Sequence, residues 1–140
     1  MSFIVMVTGM VMLILAPLVL AFSMVYFGLH RKKYEQLISL YRQEGLPLSA
    51  QNNLMSFFGY WGSLFLTLFF KRLLDGKPVN IAPKQPLPPE AYAFVASQPR
   101  ELTGWIRIYY YIHVTCFSLL IVGTVLFLLG EYWVDYSSGQ

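Results

Sequence analysis

The chain opens on its longest uncharged run, FIVMVTGMVMLILAPLVLAFSMVYFGL, from Phe3 to Leu29. A hydrocarbon layer of ~30 Å takes about 20 helical residues to cross, so the run predicts a transmembrane helix over 3–29. Pro17 sits at mid-span and predicts a kink, because it removes a backbone donor and crowds the preceding turn. Thr8, Gly9 and Ser23 are the small or polar points where a neighbouring helix can approach. A second apolar run predicts a second span over 109–130. Trp105, Tyr109, Tyr110 and Tyr111 precede it and Tyr132, Trp133 and Tyr136 follow it, as interfacial anchors would.

Between the spans the pattern changes period. Tyr34, Leu37, Ile38 and Tyr41 recur at i, i+3, i+4 and i+7, which continues the first helix with one apolar face to about Glu44. Arg31 and Glu35 stand four apart and can pair across a turn. Gly45-Leu46-Pro47 ends that helix. A membrane-associated helix follows over 53–74, capped by Asn52 or Asn53 and closed by Asp75-Gly76. Its core, LMSFFGYWGSLFLTLFF, has 17 uncharged residues, the lower limit for a span. As a third span it would put basic loops on both sides of the bilayer, so an interfacial or re-entrant helix is expected instead. Ser56, Gly59, Ser63 and Thr67 form a small-residue stripe on it, suited to packing on the chain's own spans or on a partner. The segment 77–89, KPVNIAPKQPLPP, predicts an extended spacer with little internal hydrogen bonding. Pro88-Pro89-Glu90 and Pro99-Arg100-Glu101 each open a further helix. These juxtamembrane helices, with Trp105 and Ile106, are expected against the headgroups.

Composition sharpens this picture. Of 140 residues, 56% are hydrophobic and 12% charged, about half the charge of an ordinary soluble domain. All ten Lys and Arg lie between Arg31 and Arg107, against five carboxylates in the same stretch, a net +5. The positive-inside rule therefore places 30–108 in the cytoplasm and both termini, including the tail 131–140, outside. Positive charge follows the first apolar run rather than preceding it, which reads as an anchor rather than a cleaved leader. The basic side chains Arg31, Lys32, Lys33, Lys71, Arg72 and Arg107 suit anionic phospholipid headgroups, and no nucleic-acid partner is expected.

Candidate chemistry is sparse. The carboxylates are scattered and none falls inside a span, whereas an intramembrane acid or base would mark an ion path. No phosphate loop, paired cysteines, HExxH or GxSxG occurs, so no catalytic residue and no metal site is assigned. His30 and His113 both fall near the cytoplasmic interface and could face each other as axial ligands of a haem. The plainer reading has each bonded to a backbone carbonyl or a headgroup, and no cofactor is expected. Cys116 lies within the second span, where a thiol behaves as a small apolar group.

The fold class expected is an all-α integral membrane protein, a single membrane domain with two transmembrane helices, an interfacial or re-entrant helix and short juxtamembrane helices. This two-span plan resembles that of universal stress protein B of bacterial envelopes, a likeness of plan alone that implies no function. The function expected is that of a non-catalytic accessory or assembly subunit of a larger bacterial inner-membrane complex. Its partners would be integral membrane proteins or a second copy. A membrane-acting effector or exclusion or immunity protein is the first alternative, and a small haem-binding redox protein the second.

Overall fold

The computed structural model describes residues 2–138. Five helices account for most of it: α1 Ser2–Gln43, α2 Ala50–Met55, α3 Tyr60–Leu74, α4 Pro89–Ser97 and α5 Arg100–Ser138. A short antiparallel hairpin, β1 Asn80–Ala82 with β2 Gln85–Pro86, lies between α3 and α4. At ~1.5 Å per residue α1 is about 63 Å long, twice the thickness of a hydrocarbon layer. Both α1 and α5 are long and apolar enough to cross a membrane, and only 11% and 17% of their most apolar stretches are buried.

Two compact units form. The first combines residues up to Met24 with those from Tyr111 on. Its helices run antiparallel, because the facing positions fall in number on α5 as they rise on α1: Met6 meets Gly130, Gly9 meets Gly123 and Phe127, and Ala16 meets Cys116. The approach is close enough to exclude a side chain. A Cβ on Gly9 would sit 2.5 Å from the Phe127 nitrogen, and one on Gly130 would sit 2.6 Å from the Met6 nitrogen. Such small-residue contact lets dispersion act between backbones where lipid offers no hydrophobic drive. Polar side chains here are satisfied locally: Thr8 donates to the Ile4 carbonyl at 2.8 Å and Ser23 to that of Leu20 at 2.7 Å. The close approach at Gly9 agrees with the sequence reading. That reading does not single out Gly123 and Gly130, although seven residues are two helical turns and place both on one face.

The second unit, Val25–Tyr110, holds a conventional core. Tyr34, Leu37, Ile38 and Tyr41, the apolar face expected on α1, are all buried with Leu66, Phe70, Val95 and Ile106. Aromatic rings meet edge to face, as Tyr41 does with Phe69 and Phe70 at 5.8 and 5.5 Å. Edge-to-face contact suits the ring quadrupoles. The Tyr41 hydroxyl donates to the Pro47 carbonyl at 3.0 Å and so fixes the loop after α1.

Several expectations are corrected in this unit. The helix expected over 53–74 is two helices. Ser49 caps the first, accepting from the Asn52 amide at 3.2 Å, so neither Asn52 nor Asn53 is the cap. The break falls at Gly59, whose φ of 53° and ψ of −124° suit only glycine. The proline-rich spacer is not wholly extended. Lys84 turns it with φ 64°, and Asn80 pairs with Pro86, whose missing N–H costs a two-stranded edge little. The Tyr92 hydroxyl then clamps its start, accepting from the Val79 amide at 2.9 Å and donating to the Lys77 carbonyl at 3.1 Å. Trp105, Ile106 and Tyr109 are core residues rather than interfacial ones, at 4%, 0% and 0% exposure. The short helix expected from Pro99-Arg100-Glu101 is not separate from the second apolar run, because α5 is one helix from Arg100 to Ser138. The last two residues of the expected tail lie outside the described residues.

Candidate functional site

The surface of the central unit carries two features that its core does not explain. One is an apolar ridge on α2, α3 and the turn between them. Leu54, Phe57, Phe58, Trp61 and Phe65 are all exposed, with Phe57 and Trp61 at 75% and 70%. From Trp61 the exposed positions continue at Phe65, Leu68 and Arg72, one helical face that ends in a cation. The opposite face of α3, with Ser63, Leu66, Thr67 and Phe70, is buried. The helix is therefore apolar on both sides, and one side has no cover among the described residues.

The second feature is a cavity of about 660 Å³ beside the end of α3. Lys71, Arg72 and Lys77 line it with no carboxylate among the lining residues, and Phe65 and Leu68 form its apolar flank. The way α3 ends sets this up. Gly76 takes φ 64°, the Gly76 amide donates to the Leu73 carbonyl at 3.1 Å, and that of Lys77 donates to Arg72 at 2.9 Å. This is a Schellman ending, which folds Lys77 back beside the last turn. Asp75 bonds Lys71 at 2.6 Å and Arg107 at 3.3 Å. The Lys71 hydrogen bond, aided by the charges of Lys71, Arg107 and Lys77, holds the Asp75 carboxyl below its usual value. Lys71 also lies over the Tyr110 ring at 4.5 Å. Arg72 and Lys77 make no ion pair among the described residues.

The residues singled out from the sequence are distributed unevenly over these features. Of the small-residue stripe, Ser63 and Thr67 are fully buried in the chain's own core. Ser63 donates to the Tyr60 carbonyl at 2.6 Å, which leaves Tyr109 to donate to the Ser63 oxygen at 2.7 Å. Ser56 accepts from Arg42 at 2.6 Å, and Arg42 also bonds Asn53 at 2.9 Å and covers the Phe57 ring. Gly59 is exposed at the helix break. Among the basic residues, Arg31 pairs with Glu35 at 2.7 Å, while Lys32 and Lys33 are exposed. Sequence reasoning does not single out Lys77, because its return to the cavity depends on the Gly76 turn.

His30 and His113 fall in different units. His30 donates from Nδ1 to the Tyr26 carbonyl at 2.9 Å and stacks on that ring at 4.3 Å. His113 is buried beside Phe117. Among the described residues no group of three or more His, Cys, Asp or Glu is placed to hold a metal ion. No family model matches the chain, and no curated protein or solved structure does either.

Proposed function

We propose that the chain is a non-catalytic accessory or assembly subunit of a larger protein complex in a bacterial inner membrane. In this reading α1 and α5 each cross the bilayer once, both termini face outward, and the basic central unit faces the cytoplasm. The observation that carries the reading is the uncovered apolar ridge of Leu54, Phe57, Phe58 and Trp61, in a chain that also has two long, largely exposed apolar helices. An exposed apolar patch of this kind marks a protein or membrane contact. The ridge, rather than the buried Ser63 and Thr67, is the docking face.

Extraction from the source membrane in mild detergent, followed by mass measurement, tests the reading. A defined complex larger than the chain or its homo-oligomer is expected. Phe57→Ala with Trp61→Ala should release the chain from it while leaving insertion and the unfolding midpoint unchanged. A lone monomer or homo-oligomer from wild-type membranes would contradict it. Leakage of vesicles caused by the purified chain would favour a membrane-acting effector.

A further inference from the structure

The cavity at the end of α3 offers cations and apolar surface side by side, and that pairing selects a ligand class. Three cations converge on a volume of about 660 Å³, within the usual range for small-ligand sites. Lys71 is already held by Asp75 and the Tyr110 ring, whereas Arg72 and Lys77 make no ion pair among the described residues. Arg72 offers a planar fork of donors and Lys77 a compact ammonium, a pair suited to a phosphate oxyanion. The apolar flank is itself solvent-exposed: Phe65 is 40% and Leu68 37% uncovered. Both belong to the face that runs from Trp61 to Arg72, so an amphiphile with a phosphate at one end and a hydrocarbon chain at the other matches it in order.

We propose that this cavity binds one anionic glycerophospholipid, its phosphate between Arg72 and Lys77 and an acyl chain along Leu68 and Phe65. The site rests on the membrane reading above and deepens it. General attraction of a basic surface to lipid needs no particular cation. Here the Gly76 turn fixes which two cations meet the headgroup.

The test uses the full chain purified in mild detergent, with retained phosphatidylglycerol counted by native mass spectrometry and its affinity measured by titration. Wild type should retain one phosphatidylglycerol in preference to phosphatidylcholine. Arg72→Gln with Lys77→Gln should weaken that binding about 25-fold, from roughly fivefold per cation near a lipid surface. Lys32→Gln with Lys33→Gln, which removes the same charge from α1, should leave it within about twofold. Equal losses in the two double variants, or equal retention of phosphatidylcholine, would overturn the site. Full displacement by glycerol 3-phosphate would also overturn it, because the phosphate ester alone would then be the ligand. Alkaline extraction of whole membranes separates the two readings. A chain that stays in the pellet but shows no phosphatidylglycerol preference loses the lipid site alone, whereas a chain released into the supernatant loses the membrane reading itself.

Discussion

Among the described residues, two buried hydroxyls of the central core, those of Tyr34 and Thr67, have no hydrogen-bond partner. A buried hydroxyl without a partner costs free energy, and its removal at constant shape returns that cost. Tyr34→Phe and Thr67→Val should therefore each raise stability by about 1 kcal/mol, read from thermal unfolding of the detergent-solubilised chain. A loss in both would mean that these hydroxyls are bonded. Burial pushes the Tyr34 phenol up to about 12 from its ordinary 10.0. The folded state then holds its proton more tightly than the unfolded state, so this contribution is intact below pH 10 and is lost as pH rises towards 12. Tyr34→Phe should accordingly extend stability on the alkaline side. Asp75 acts at the other end of the scale. Its carboxyl is held below the ordinary 3.8, so its stabilising share is present above that pH and fades as pH falls through the folded value. The difference in midpoint between wild type and Asp75→Asn should shrink towards zero in strong acid and be constant at neutral pH. None of these three environments is legible from composition, because each depends on which residues the fold brings from other helices.

At the scale of elements, the glycine seam and the helix break carry most of the specificity. Gly130 touches the Met6 backbone, whereas a methyl group on Gly28 would meet nothing within 4 Å. Gly130→Ala should lower the unfolding midpoint, because backbone on both helices must give way. Gly28→Ala should raise stability slightly, by up to about 1 kcal/mol from helix propensity alone. Equal effects of the two would mean that the seam does not hold the helices together. The apolar face Tyr34–Tyr41, the Arg31–Glu35 pair and the stop at Gly45 were legible because each depends on local period and turn chemistry. The break at Gly59 was not, since an uncharged 17-residue run has no local signal for a stop within it. Nor was the hairpin at Asn80–Pro86, which the Tyr92 hydroxyl holds from a different helix. The same limit applies to the candidate site. Its cations on α3 could be read as lipid-facing, but Lys77 and the cavity follow from how α3 ends.

For the whole molecule, the proposed function rests on one placement, in which the two long apolar helices cross the bilayer and the central unit, with all ten cations, lies on the cytoplasmic side. The proposed placement gives each exposed surface a neighbour: lipid for the outer faces of α1 and α5, the partner protein for the Trp61 ridge, and anionic headgroups for Arg72 and Lys77. The most direct test is site-specific labelling in bacterial cells with a membrane-impermeant maleimide. Two variants are made on a Cys116→Ser background, one with Lys84→Cys in the hairpin turn and one with Glu131→Cys beyond the second apolar run. Labelling of Glu131→Cys in intact cells, with Lys84→Cys reacting only after lysis, is the predicted result. Labelling of Lys84→Cys in intact cells would contradict it and place the basic unit outside.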